Sequence, residues 1–466
     1  MTLIKSISGI RGTIGGKSGD ALTPIDIVKF TSAFGTLIAR NSTENKKIVI
    51  GRDARLSGPM VTSIVAGTLQ GLGFDVIDLG LSTTPTVEIA VPAEGALGGI
   101  ILTASHNPIQ WNALKLLNHK GEFISAAEGE EILQIAEDEA FEFADVKKLG
   151  TYTQNDTYTQ KHIEQILALP LVDVAAIKAK NFRIAIDAVN SSGGIVIPLL
   201  LEALGVEQIT KINCEPTGHF AHNPEPLPEN LTEICRELEK GGFDLGIVVD
   251  PDVDRLAFVC ENGEVFGEEY TLVAVADYIL KNSPAGGNTV SNLSSTVALR
   301  DVTQKYGGTH TAAAVGEVNV VTKMKEVNAL IGGEGNGGII YPELHYGRDA
   351  LVGIALFLSH LAKFGKSVSI LRHSYPSYFI SKNKIELTPE INVDEVLEQI
   401  QKKYAKNPIN TIDGVKIEFG QEWVHLRKSN TEPIIRIYSE SDFKAKADNL
   451  ANKIITDIKE VIAESR

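Results

Sequence analysis

Short β-branched runs, each ending in a glycine- or aspartate-rich loop and followed by a helical pattern, recur along this chain. They constrain its fold more than any other feature. Ile48-Val49-Ile50 runs into Gly51-Arg52-Asp53, and Gly99-Ile100-Ile101-Leu102 runs into Thr103-Ala104-Ser105-His106-Asn107-Pro108. Arg183-Ile184-Ala185-Ile186 leads to Asp187-Ala188-Val189-Asn190, and Leu245-Gly246-Ile247-Val248-Val249 leads to Asp250-Pro251-Asp252. Unbroken apolar runs suit strands covered on both faces. Strand, loop and helix in repetition mark α/β units. Such sheets collect ligands at the carboxyl ends of their strands. The unusual polar clusters lie at those ends, which makes them candidates for one shared site.

The 466 residues suffice for three or four domains at roughly 100–200 residues each. Polar sequence from Phe143 to Tyr158 reads as a first linker, and Asp250 to Gly263 as a strand-loop-strand crossing into a third domain. After Phe364-Gly365-Lys366 the texture changes. Val393, Val396, Leu397, Ile400 and Tyr404 recur at helical spacing, and strands follow at Val415 to Phe419, Trp423 to Leu426 and Ile434 to Tyr438. A last helix places Phe443, Ala447, Leu450, Ile454, Ile458 and Val461 on one face. The expected division is 1–148, 149–252, 253–366 and 367–466, the last segment being a small α+β domain.

Charge narrows the partners. Lys and Arg number 44 against 59 Asp and Glu, a formal net charge of −15. That argues against a general nucleic-acid binder and against a polybasic membrane anchor. Cys214, Cys235 and Cys260 form neither a disulfide framework nor a zinc motif, and read as small buried hydrophobes in a reducing compartment. The N-terminal residues lack the apolar run of a signal peptide. The longest apolar run, Ala350 to Leu358, is far short of the roughly 20 residues that span a bilayer. The expectation is a soluble, cytoplasmic protein with no membrane partner.

Four clusters carry chemistry. In Asp250-Pro251-Asp252-Val253-Asp254-Arg255, three carboxylates alternate at a strand end. They repel one another unless a cation or hydrogen-bond donors lie between them, and hard oxygen ligands at this spacing suit Mg²⁺. The alternative is an exposed acidic turn; an EF-hand is excluded because Arg255 takes a required polar position. Arg255 itself either compensates the carboxylates or reaches a phosphate. In Thr103 to Pro108, adjacent Ser105 and His106 point in opposite directions in an extended chain, so His106 does not serve Ser105 as a hydrolase base. Ser105 reads either as a phosphate carrier opposite a metal or as part of a Ser-His-Asn-Pro turn.

Gly332-Gly333-Glu334-Gly335-Asn336-Gly337-Gly338 has five glycines that permit close backbone approach, with Glu334 and Asn336 suited to paired sugar hydroxyls. It is neither a Walker A loop nor a dinucleotide fingerprint, and a flexible turn is the alternative. Arg427-Lys428-Ser429-Asn430-Thr431-Glu432-Pro433, with Arg436 beyond, offers guanidinium, hydroxyl and amide donors for a phosphate cradle, or is an ordinary solvated loop. Two smaller pieces add cations. Arg11 lies between glycines in Ser8-Gly9-Ile10-Arg11-Gly12. Lys115 follows Ser105 by ten residues, and among metal, Arg and phosphate it would have a lowered pKa suited to acid/base work; an ordinary surface cation is the alternative for both Arg11 and Lys115.

Taken together, in this order, the four loops resemble those of the α-D-phosphohexomutase superfamily over essentially the whole chain. The resemblance implies three similar α/β domains with mixed sheets and a fourth, TATA-box-protein-like α+β domain, around a central cleft. They carry, in order, the phosphoserine, metal, sugar and phosphate loops. It also implies a reaction. Phosphorylated Ser105 passes its phosphoryl group to a hexose monophosphate, the bisphosphate intermediate reorients, and its other phosphate returns to Ser105. Mg²⁺ would be held by Asp250, Asp252, Asp254 and a Ser105 phosphate oxygen. Lys115 and Arg11 match positions for proton transfer and phosphoryl contact, with His106 and Arg255 beside them. Gly333, Glu334 and Asn336 match the sugar binder. Arg427, Ser429, Asn430, Thr431 and Arg436 match the binder of the phosphate that is not transferred.

Departures narrow the branch. The sugar loop ends Asn336-Gly337-Gly338 where many bacterial members have Ser-Gly-His. Val315-Gly316-Glu317-Val318-Asn319 has Glu317 where many relatives carry His or Asp, and Asn112-Ala113 replaces a more usual Asn-Gly. The pattern resembles the archaeal-type branch of phosphoglucosamine mutases and mixed phosphomannomutases/phosphoglucomutases. The implied activity is interconversion of glucosamine 6-phosphate and glucosamine 1-phosphate, with Glu317 or Glu334 favouring a 2-ammonium sugar. The alternatives are the same chemistry on mannose or glucose phosphates, a metal-dependent sugar phosphatase, or a non-catalytic sugar-phosphate sensor. Implied partners are the hexose or hexosamine phosphate and a bisphosphate intermediate or activator, with the protein a monomer or homodimer and no nucleic acid bound.

Overall fold

The computed structural model describes residues 2–6, 9–40, 46–283, 286–388, 390–428 and 434–464. The chain forms two compact units, one of residues 1–282 and 336–372, the other of residues 283–335 and 373–466.

The first unit holds two mixed sheets. In the larger, the strand order is Ile4–Ser6, Gly9–Thr13, Trp111–Leu117, Gly98–Leu102, Lys47–Arg52, Asp75–Leu81 and Tyr152–Gln154. Gly98–Leu102, Lys47–Arg52, Asp75–Leu81 and Tyr152–Gln154 run parallel, and the remaining pairings are antiparallel. The alternation of side chains along a strand shows why its apolar runs are continuous. Ile48, Ile50, Ile100 and Leu102 join one core with helices Pro24–Ala39, Gly58–Gly71 and Ala126–Glu137. Val49 and Ile101 turn the other way, into a core with Val87, Ala90 and Val91 of helix Thr84–Ala93. That last helix is started by Thr83, whose hydroxyl accepts from the amide of Thr86.

The second sheet runs Leu256–Cys260, Leu245–Val249, Arg183–Asp187, Gln208–Ile212. Leu245–Val249 and Leu256–Cys260 are antiparallel neighbours. The strand after Asp250-Pro251-Asp252 therefore returns to this sheet instead of crossing out of it, and the acidic cluster is the turn of a hairpin. The apolar run from Ala350 lies in helix Ala350–Phe364, fully buried from Ala350 to Leu358. No helix among the described residues is long and apolar enough to cross a membrane. The three cysteines are free thiols.

In the second unit, Asn288–Asn292 lies between His310–Ala313 and Ala329–Glu334, all parallel. The antiparallel sheet Phe379–Glu386, Ile434–Ser441, Glu422–Lys428, Val415–Phe419, Ile409–Asn410 shares a core with helices Val393–Lys403 and Lys444–Glu464. This is the expected α+β arrangement, with one correction. Phe443 precedes the last helix and is 61% exposed, whereas Leu450, Ile454, Ile458 and Val461 are in the core.

Candidate active site

Ser105 follows the strand Gly98–Leu102 in a left-handed backbone conformation, φ 49°. A buried network imposes it. Asp53 accepts from the Thr103 hydroxyl at 2.6 Å, and Thr103 accepts from the Ser105 amide at 2.9 Å. Arg55, 0% exposed and paired with Asp53 at 3.1 Å, donates to the carbonyls of Ser105, Asn107, Pro108 and Trp111. One guanidinium thus spends its donors on shaping a single loop. Arg11 adds a bond to Asn107 Oδ1 at 3.2 Å.

The turn brings Ser105 Oγ within 2.8 Å of Asp250 Oδ2. It also changes the expected relation to His106. Because the chain is not extended here, Ser105 Oγ lies 3.4 Å from His106 Nδ1. Burial, then the Arg255 and Arg11 guanidiniums, push that imidazole well below the usual histidine range, so it is neutral near pH 7.

Asp250, Asp252 and Asp254 are all fully buried and converge within metal-ligand reach of one another. The hairpin turn is shaped by Val253 at φ 63° and by the amides of Asp254 and Arg255, which donate to Asp250 Oδ1 at 3.2 and 3.1 Å. Ser191 and Ser192 both donate to the Pro251 carbonyl, at 2.7 and 2.8 Å. Burial, followed by the Asp252 and Asp254 charges, holds Asp250 well above the usual carboxylate range. Burial also opposes ionising Asp254, but Arg348, Lys115 and Arg255 outweigh it and hold Asp254 below that range.

Lys115 Nζ lies 2.6 Å from Asp252 Oδ2 and 3.2 Å from Asp254 Oδ2. The expected lowering of its pKa is reversed. Burial pulls it down, but the two carboxylates pull it up further. Arg255 donates to Glu225 Oε1 at 2.8 Å. Arg348 reaches Asp254 Oδ2 at 2.7 Å and the Thr84 hydroxyl reaches Asp252 Oδ2 at 2.5 Å. Arg348, Thr84, Asp53, Arg55 and Glu225 join the site without standing in any of the four sequence clusters. An Arg directly before a helix-capping Asp, in Gly347-Arg348-Asp349, was the visible signal for the first.

The donors fit a divalent cation. Lys115, Thr84 and Arg348 occupy Oδ2 of Asp252 or Asp254, while the buried Oδ1 atoms of both residues accept no hydrogen bond from the described residues. Oxygens so placed are ligand positions for a hard ion.

The other predicted residues belong to the second unit or to its edge. Glu334, 4% exposed, accepts from Asn292 Nδ2 at 2.8 Å and from the Gly316 amide at 3.1 Å. The strand Ala329–Glu334 extends through Gly332 and Gly333, so the glycine-rich stretch is only partly a loop. A Cβ on Gly332 would meet Met324 Sδ at 2.4 Å, so that glycine answers to internal packing and not to a ligand. Asn336, in the first unit, accepts from the Gly338 amide at 3.1 Å. Glu317 starts the helix Glu317–Val327. Arg427 pairs with Asp413 at 2.8 Å and is the direct cross-strand neighbour of Arg436, which is exposed. Ser8, Ser429, Asn430 and Thr431 lie outside the described residues.

A buried hydroxyl on a left-handed turn, three convergent carboxylates, and lysine and arginine around them equip an α/β protein for cation-assisted transfer of an anionic group. Comparison with known proteins agrees with that class. Four phosphoglucomutase/phosphomannomutase models match in order: α/β/α domain I over residues 3–143, domain II over 160–263, domain III over 267–378 and the C-terminal domain over 387–456. The chain belongs to the phosphoglucomutase/phosphomannomutase family, within the α-D-phosphohexomutase superfamily. It is 36% identical to a phosphoglucomutase/phosphomannomutase of Thermococcus kodakarensis, over 94% of this chain and 95% of that one. It is 34% identical to a phosphoglucosamine/phosphogalactosamine mutase of Sulfurisphaera tokodaii, over 97% and 98%. A solved putative phosphomannomutase from Thermus thermophilus superposes with a TM-score of 0.82 at 25% identity, covering 98% of this chain and 99% of that one.

Proposed function

We propose that this enzyme is a phosphohexomutase that interconverts the 6- and 1-phosphates of a hexosamine, glucosamine foremost, through phosphorylated Ser105 and a bisphosphate intermediate. The observation that carries the reading is the 2.8 Å approach of Ser105 Oγ to Asp250 beside two carboxylate oxygens that accept no hydrogen bond from the described residues. In the first half-reaction the phosphorus–Ser105 oxygen bond breaks and a phosphorus–sugar oxygen bond forms; Lys115, kept protonated by Asp252 and Asp254, gives its proton to the departing Ser105 oxygen and regains one from the reacting sugar hydroxyl. The second half-reaction is the reverse with the sugar turned around.

Asp250, Asp252, Asp254 and a phosphate oxygen on Ser105 are the residues that would hold Mg²⁺, which when bound supplies charge neutralisation for the transferring group. Arg11 and Arg255 contact that group, and neutral His106 serves it as a hydrogen-bonding partner. Glu334, Asn336 and Gly333 take the sugar hydroxyls. Arg427, Arg436, Ser429, Asn430 and Thr431 take the phosphate that is not transferred. Glu317 and Glu334 favour a 2-ammonium group, and the name of the Sulfurisphaera relative supports a hexosamine. The name of the Thermococcus relative supports the second reading, glucose and mannose phosphates. A phosphatase has no use for a second phosphate cradle, which the adjacent Arg427 and Arg436 favour.

Intact-mass measurement of the purified chain tests the reading. One phosphate is expected, absent in Ser105→Ala along with mutase turnover; a Ser105→Ala enzyme of full activity overturns it. Coupled assays on glucosamine, glucose and mannose phosphates decide the sugar. Glu317→Gln should impair glucosamine-phosphate turnover more than glucose-phosphate turnover, and equal losses remove its support.

A further inference from the structure

A second group of metal-ligating side chains lies in the first unit, apart from the aspartate hairpin. His162 on helix Tyr158–Leu167 places Nε2 2.9 Å from Asp349 Oδ2, and His345 Nε2 approaches the same oxygen at 3.2 Å. The three ligand atoms lie within 4.8 Å of one another. In a zinc tetrahedron with bonds of about 2.0–2.2 Å, ligand atoms are about 3.4 Å apart. The side chains of His162 and Asp349 are fully buried, and that of His345 is 13% exposed, which leaves a way in.

The surroundings repeat the arrangement that orients metal-binding imidazoles. Each ring turns its other nitrogen to a fixed oxygen: His162 Nδ1 lies 3.0 Å from Thr86 Oγ1, and His345 Nδ1 lies 3.5 Å from Glu88 Oε2. Both oxygens come from helix Thr84–Ala93. Asp349 Oδ1 is engaged in capping helix Ala350–Phe364, accepting from Leu351 and Val352, so Oδ2 is the atom left to face the imidazoles. Carboxylates of Asp349 and Glu88, each no more than 1% exposed, put negative charge where water does not screen it. A single divalent ion between the three ligand atoms neutralises that charge without placing two imidazolium ions side by side.

We propose that His162, His345 and Asp349 form a binding site for a first-row transition ion, Zn²⁺ in particular, with water in the fourth position. Two imidazoles select such an ion over Mg²⁺. The site stands independently of the mutase reading.

The test uses the full chain stripped by chelator and loaded with Co²⁺ in excess Mg²⁺. The strong visible bands of four-coordinate cobalt are expected, lost in His162→Gln and His345→Gln and kept in Asp252→Asn. X-ray absorption of the zinc-loaded wild-type chain needs no variant, and imidazole scattering is expected there. Absent or six-coordinate cobalt bands, bands that survive both histidine variants, bands lost in Asp252→Asn, or an all-oxygen zinc shell would each overturn the site.

Discussion

Arg348 donates to Asp254 Oδ2 at 2.7 Å and is the foremost of the cations that keep this buried carboxylate ionised. Removing the guanidinium leaves a fully buried charge with fewer partners. Arg348→Gln should cost about 3 kcal/mol, the low end for breaking a buried pair because Lys115 and Arg255 remain. The sign with pH follows. Asp254 is depressed in the folded state, so its contribution is complete above the ordinary carboxylate value of about 4 and is lost as pH falls through the folded value. Arg348→Gln raises that folded value, so the smaller contribution that remains should be fully lost at a higher pH than in the wild type. Urea midpoints taken from neutral to acid pH check both statements.

Arg55 and Asp53 form a buried pair that shapes the Ser105 loop. Asp53→Ala strands a fully buried guanidinium and should cost about 3–5 kcal/mol in chemical denaturation. Arg55→Met strands the equally buried Asp53 carboxylate and should cost at least as much. It should also lower turnover at least tenfold, because four carbonyls of the Ser105 loop lose their donor.

The last helix offers a test of register. Ile454→Ala should destabilise by about 2–5 kcal/mol, as for other core truncations. Phe443→Ser, at a position 61% exposed, should stay within about 0.5 kcal/mol of wild type. Thermal unfolding of the two variants distinguishes this register from one in which both residues face the core.

Arg427 and Arg436 are cross-strand neighbours, and with Arg427 paired to Asp413 the exposed Arg436 carries the free positive charge at this place among the described residues of the sheet. Arg436→Ala should raise KM for the monophosphate roughly tenfold or more with little change in kcat, the loss of one charge-assisted contact of about 1.5–3 kcal/mol. Steady-state kinetics at two salt concentrations check it, since the wild-type KM should be the more salt-sensitive.

Much of this is legible in the sequence. Ile48 to Ile50 and Ile100 to Leu102 read as doubly covered strands because a strand between two helix layers has no polar face to interrupt the run. Ser105 and the three aspartates were legible because loops at strand ends concentrate their polar residues within a few positions. Arg348, Thr84 and Asp53 were not, since each is a single polar residue whose partner is 50 to 168 positions away. His106 departs from expectation through its neighbour: an extended chain separates adjacent side chains, but the turn at Ser105 does not. Lys115 departs from expectation for a related reason, because the identity of its nearest charges, Asp252 and Asp254, is a tertiary fact. Phe443 fits the helical spacing and fails only because the helix begins one residue later.

The left-handed backbone at Ser105 and at Val253 has a consequence for how this chain can be improved. Each conformation disfavours an L side chain by about 1–3 kcal/mol, and glycine adopts both without strain. A redesign guided by melting temperature alone would therefore arrive at glycine at Ser105, though not at Val253, whose fully buried side chain offsets its strain. It would produce a hardier protein without its hydroxyl. Thermostabilisation of this fold has to begin elsewhere, on surfaces and helix ends, and treat residues 103–108 and 250–255 as fixed.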